Sequence, residues 1–62
     1  MRDPNRLDEF YEELKRIHKE YVPDWRFGQF MYNFFAYTGD PFFFEENRLI
    51  EKLHEYVEER LK

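Results

Sequence analysis

The stretch that decides the fold runs Pro23-Asp24-Trp25-Arg26-Phe27-Gly28-Gln29-Phe30-Met31-Tyr32-Asn33-Phe34-Phe35-Ala36-Tyr37-Thr38-Gly39-Asp40-Pro41. It reads as one helix written between two stops. Pro23 drives Val22 out of helical geometry, so whatever precedes must end near Tyr21. Gly39 suits the position just past a helix, and Asp40-Pro41 prevents any continuation. With Asp24 as the expected cap, the helix spans about 25–38. Phe27, Phe30, Met31, Phe34 and Phe35 form a wide apolar stripe along it. Tyr32, Ala36 and Tyr37 carry the apolar character further around the cylinder. A helix apolar on most sides is expected to lie buried between neighbours.

Working outward, the segment before Pro23 has the i, i+3, i+4, i+7 pattern of an amphipathic helix in Leu7, Phe10, Tyr11, Leu14, Ile17, His18 and Tyr21. Asp3 or Asn5 can cap it, and Pro4 suits a first helical position if Asp3 does. This predicts a helix over about 4–21. Acids precede bases along it, which complements the helix dipole, and Glu12 with Arg16 forms an expected i, i+4 pair. Beyond Pro41, the run Phe42-Phe43-Phe44 is too short for an independent strand and reads as an extended linker whose rings plug into the core. Leu49, Ile50, Leu53, Tyr56, Val57 and Leu61 then mark a third helix over about 46–61. The expectation is an all-α fold: one compact three-helix domain over residues 1–62, with an aromatic-rich central helix.

Composition narrows the function. Ten Lys and Arg against fourteen Asp and Glu leave a net charge of −4, which works against a phosphate-tracking surface. With no cysteine there is neither a disulfide nor a thiolate metal site. The longest uncharged run, Phe27 to Gly39, is shorter than the roughly 20 residues a membrane-spanning helix needs. With no signal-peptide pattern at the start, a cytoplasmic location is expected and no membrane association. The chain has no Ser and its one Thr, Thr38, adjoins a helix stop, so nucleophilic catalysis has no candidate residue and a non-enzymatic role is expected. Glu51-x-x-His54 is half of a di-iron bundle motif, but His18 has Lys15 where a second half would need a carboxylate. No metal and no cofactor are expected.

Three features remain as candidates. Arg26, Gln29, Asn33 and Tyr37 fall at spacings that share one helix face. Such a polar stripe is either a structural network, with Arg26 meeting Asp24 or Glu46, or a recognition surface. Acidic rows, Asp8, Glu9, Glu12 and Glu13 on the first helix and Glu51, Glu55, Glu58 and Glu59 on the third, would suit an imitation of a phosphate backbone. The third feature is the surplus of rings: eight Phe, five Tyr and Trp25 in 62 residues. A unit of this size encloses only a limited number, so some of Trp25, Tyr32, Tyr37 and Phe42 to Phe44 are expected at the surface, where aromatic residues favour interfaces.

Pro23-Asp24-Trp25-Arg26-Phe27-Gly28-Gln29, then Asn33, then Asp40-Pro41-Phe42-Phe43 leading to Glu45-Glu46 and Leu49-Ile50, resembles a motif set in small uncharacterised proteins of bacterial and phage genomes. The shared pattern is roughly Pro-Asp-x-Arg-Phe-x-Gln-x-x-x-Asn, followed by Asp-x-Phe and an acidic start to the last helix. The resemblance spans about residues 22–57 and implies no catalytic residue. It draws attention to Arg26, Gln29, Asn33, Asp40 and Glu46, the last standing where the pattern often has Asp, a better cap. The leading expectation is a protein-interaction module, a homodimer or a partner of a host protein, with Trp25, Arg26, Gln29, Asn33, Tyr37 and Asp40 as candidate interaction residues. The alternative is an acidic nucleic-acid mimic that blocks a DNA- or RNA-binding protein, and a small-ligand pocket lined by Arg26, Gln29 and aromatics is a third possibility. Direct nucleic-acid binding is not expected.

Overall fold

The computed structural model describes residues 2–62. Three helices follow one another: α1 Arg6–Tyr21, α2 Phe27–Thr38 and α3 Glu46–Tyr56, the last running on as a π-helical turn, Val57–Leu61. This is the expected all-α three-helix architecture, with no strand among the described residues. α3 lies against both α1 and α2.

The boundaries follow local chemistry. Ahead of α1, the Asp3 carboxylate accepts the Asn5 amide at 2.9 Å, and the amides of Arg6, Leu7 and Asp8 bond carbonyls three residues back. Pro4 and Asn5 therefore belong to a tight turn, and α1 starts two residues later than the pattern suggested. The α1 stop is where Pro23 requires it. The Val22 amide bonds the His18 carbonyl, and the Trp25 amide closes a turn onto the Val22 carbonyl at 3.0 Å. That turn overturns the expected start of α2. Asp24 makes no capping bond, and Trp25 lies before the helix. Arg26 takes the N-cap position with extended backbone, and the Gln29 side-chain oxygen accepts its amide at 2.7 Å. This is the return half of a capping box; a guanidinium has no acceptor with which to supply the other half. At the far end Gly39 adopts φ 82°, ψ −167°, a region open to glycine alone, while its amide bonds the Phe35 carbonyl at 2.8 Å.

The core joins Leu14 and Ile17 of α1, Val22, Phe30 and Phe34 of α2, and Leu53, Tyr56 and Val57 from the third helix and its π turn. The rings pack as tilted or edge-on pairs: Phe34 on Tyr56 at 5.6 Å, Tyr37 on Tyr56 at 5.3 Å and Trp25 on Phe30 at 6.4 Å. His18 lies beside Phe30 and bonds the Trp25 carbonyl at 2.7 Å through Nε2. A carbonyl only accepts, so that nitrogen carries a proton. His18 thereby fixes the loop between α1 and α2.

Two expectations about the rings fail. α2 is not buried on most sides: only Phe30 and Phe34 are fully enclosed, while Phe27 is 61% and Tyr32 76% exposed, and Ala36 is also exposed. α1 and α3 pack on the Phe30–Phe34 side of α2, and among the described residues no further element covers the other. The linker rings do not plug the core either. Phe42 and Phe43 are 78% and 87% exposed, and only Phe44 is half-buried. The Asp40 carboxylate accepts the Phe42 amide at 3.0 Å and the Phe44 amide bonds the Pro41 carbonyl, folding the linker into a turn in place of the expected extended linker.

A candidate aromatic docking surface

Where α1, α2 and the start of α3 meet, the side chains leave an open groove of about 400 Å³. Phe10, Tyr11 and Leu14 of α1, Phe27, Met31, Phe34 and Phe35 of α2, and Leu49 of α3 line it, with Phe34 and Leu14 buried. Tyr11 is 58% exposed and stands edge-on to Phe10, their centroids 5.3 Å apart. Each ring has a helical cause. Phe10 and Leu14 share a face one turn apart, and Tyr11 sits at that face's edge. Phe27, Met31 and Phe35 form an i, i+4, i+8 row beside the buried Phe30–Phe34 row. One further step around α2 brings Gly28, Tyr32 and Ala36 into a row on the side opposite the core. The apolar surface is therefore continuous from Tyr11 across the groove to Tyr32.

Glu46 borders the groove and also the hollow beneath Phe42 and Phe43. Those two rings pack against each other at 4.8 Å, edge to face. The segment between the two surfaces is pinned by charge-assisted bonds, Arg6 to Glu46 at 2.7 Å and Arg2 to Glu45 at 2.6 and 2.8 Å. Each guanidinium holds its partner carboxyl below the usual carboxylate range by hydrogen bonding. Arg6 thus takes the carboxylate that the sequence had offered to Arg26, and the expected Arg26 pair with Asp24 or Glu46 does not form among the described residues.

The polar stripe is brought together on one side of α2, but each member has a separate, mostly local bond. Gln29 caps the helix, the Asn33 amide donates to the Gln29 carbonyl at 2.9 Å, and the Tyr37 hydroxyl donates to Glu59 at 2.5 Å. Arg60 stacks over the Tyr37 ring, 5.6 Å from its centroid. The Glu59 carboxylate pushes the Tyr37 hydroxyl up to about 12. Asn33, Ala36, Tyr37, Tyr56 and Arg60 line a shallow hollow on this side. Asp40 shapes the turn that carries Phe42, and Trp25 is half-buried on Phe30. None of the six residues singled out in the sequence lines the aromatic groove. The residues that do were legible only as core, because period alone cannot say which side of an apolar helix goes uncovered.

The acidic rows are largely engaged within the chain. Glu12 meets Lys15, Glu51 meets Arg48, Glu55 meets Lys52 and Glu58 meets Lys62. Arg16 grips Glu13 with two nitrogens and reaches Glu20 with a third, displacing the expected Glu12–Arg16 pair. Glu13 also accepts His54 Nε2 at 2.5 Å, and Arg16 followed by His54 holds its carboxyl down at about 2. His54 and Glu51 are thus each taken by other partners, and no three His, Asp or Glu side chains among the described residues converge as metal ligands. No helix among them is long and apolar enough to cross a membrane. No protein-family model, no curated protein and no solved structure matches the chain.

Proposed function

We propose that this chain is a non-enzymatic protein-interaction module whose working surface is the aromatic groove and the α2 face beside it. The supporting observation is that Tyr11, Phe27, Tyr32, Phe42 and Phe43 stand more than half exposed in a chain that otherwise buries its apolar rows. Exposed rings in water are unfavourable unless something covers them, and contiguous apolar patches of this kind mark interfaces in small soluble domains. The groove is open and apolar with one carboxylate at its rim, the form that takes an apolar segment of another protein. The motif set around Arg26, Gln29 and Asn33 fits a small phage-type inhibitor or adaptor acting on a host protein. In this reading those residues fix the start and the side of α2, and the rings make the contact.

The alternative, an acidic nucleic-acid mimic, needs rows of free carboxylates, and the pairing of Glu12, Glu13, Glu51, Glu55 and Glu58 with cations weakens it. The two readings part on one comparison. Affinity capture from lysate with the parent chain, with Tyr11→Ser/Phe27→Ser and with Glu55→Gln/Glu58→Gln/Glu59→Gln reports which surface holds a partner. Loss with the ring variant alone, at unchanged helical circular dichroism, supports the module. Loss with the carboxylate variant alone overturns it.

A further inference from the structure

We infer that the outer face of α2 pairs with the same face of a second copy of this chain, antiparallel and about a two-fold axis near Tyr32. The inference rests on the docking-surface reading and names the occupant of its α2 portion.

Charge selects the occupant. The chain carries 24 charged residues, yet α2 from Phe27 to Thr38 has none. α1 has four basic and five acidic residues, and α3 with its π turn has three basic and five acidic. Two copies meeting on either of those faces oppose like net charge. Meeting on α2 they oppose none, while an antiparallel arrangement sets each helix's positive end beside the other's negative end. A basic or acidic partner finds no opposite charge on this face, and a second copy meets no like charge on it.

Shape agrees. On the side of α2 away from the core, Tyr32 is 76% exposed and lies one turn from Gly28 and one turn from Ala36. A two-fold axis at Tyr32 puts Gly28 of each helix opposite Ala36 of the other, so the backbones approach closely. Side chains on a helix lean toward its N-terminus, so each Tyr32 ring comes level with its own Gly28 and meets Ala36 of the second copy. Bulk then faces smallness on both sides, as an isologous contact requires. Gly28 has no other explanation within the monomer. Its backbone is ordinary helix, and a Cβ placed there meets nothing within 4 Å. Glycine there weakens the helix relative to alanine without serving any packing need of the single chain.

Sedimentation equilibrium of the 62-residue chain across a concentration series tests the pairing. The expected mass rises from 8.0 kDa toward twice that value. Tyr32→Glu raises the dissociation constant at least about thirtyfold, the loss typical of a central aromatic contact, with helical circular dichroism unchanged. Ala36→Arg does the same by filling the contact. The chain has no cysteine, so introduced ones report the geometry cleanly. Gly28→Cys mixed with Ala36→Cys forms a disulfide-linked heterodimer on oxidation. Ala36→Cys alone does not, because its two copies stand about 12 Å apart along the axis. A mass of 8.0 kDa at every concentration overturns the inference, as does an unchanged dimer in both Tyr32→Glu and Ala36→Arg, or ready self-linking of Ala36→Cys. A chain that stays monomeric yet captures a partner through Tyr11 and Phe27 overturns the pairing and leaves the docking surface standing. A dimer that forms in the Tyr11→Ser/Phe27→Ser variant, whose capture matches the parent's, keeps the pairing and overturns the groove.

Discussion

Phe30 and Tyr32 stand two residues apart on α2, one fully enclosed and the other 76% exposed. Both are aromatic and both belong to a helix with no charged residue. What separates them is the direction in which two neighbouring helices approach. Ile17, Leu53 and Tyr56 converge on the Phe30–Phe34 row, and among the described residues nothing covers the opposite side. Residue type therefore says that a ring will seek cover; only the arrangement of the remaining chain says whether the molecule can provide it. A three-helix unit covers one side of its central helix. The other side, with Gly28, Tyr32 and Ala36, stays exposed.

The largest effect that can break this comparison lies on the inner face. Phe34→Ala should cost about 3–5 kcal/mol, against a total of about 3–9 kcal/mol for a domain of this length, so that urea denaturation finds the variant's midpoint far below the parent's. Tyr32→Ala, measured at a concentration dilute enough to keep single chains, should change stability by no more than about 0.5 kcal/mol. Equal losses from the two substitutions would erase the distinction between the faces.

Gly39→Ala comes next, at about 1–3 kcal/mol, because φ 82° with ψ −167° strains any side chain even though open space surrounds the site. The same substitution at Gly28 should be neutral or slightly stabilising in the dilute chain, which thermal unfolding of the two variants side by side will show.

Smaller still is the acid response of the α1–α3 contact. The Glu13 carboxyl is held down at about 2 in the folded chain by Arg16 and His54, below its ordinary value of 4.5. Its contribution is then complete above about 4.5 and is lost as pH falls toward 2, because the folded state resists protonation that the unfolded chain accepts. Glu13→Gln should flatten that part of the stability profile. On the outer side the sign reverses. Tyr37 is pushed up to about 12 from 10.0 by Glu59, so its contribution holds below pH 10 and fades as pH climbs to 12. Absorbance titration of the tyrosines should show the last one to ionise moving down in Glu59→Gln.

Much of this was legible in the residues. Pro23 and Gly39 delimit α2 on the C-side of α1 and before the linker as their stereochemistry demands, and the stripes of α1 and α3 supply Leu14, Ile17, Leu53, Tyr56 and Val57 to the core as their period indicates. The start of α2 was not legible, because Asp24 is the better cap by type while the turn closed by Trp25 hands the position to Arg26. Nor were the ion pairs: Arg16 has acidic residues three and four positions before it and four after, and side-chain reach chose Glu13 and Glu20 over Glu12. The groove was hidden for a third reason. Its residues look like core because they are apolar and periodic, and exposure depends on where α1 and α3 end up. The exposed surplus of rings was foreseeable from size and composition; its location was not, apart from Tyr32, Phe42 and Phe43.

The central claim is that the outer rings serve the pairing of two copies and not the fold of the single chain. The concentration dependence of the urea midpoint, compared between the parent chain and Tyr11→Ser/Phe27→Ser/Tyr32→Ser, tests it most directly, since pairing of folded chains stabilises them by mass action. The account predicts that the parent midpoint rises with protein concentration, whereas the triple variant stays fixed at the parent's dilute value. A variant midpoint far below that value, or a parent midpoint that does not move with concentration, would contradict it.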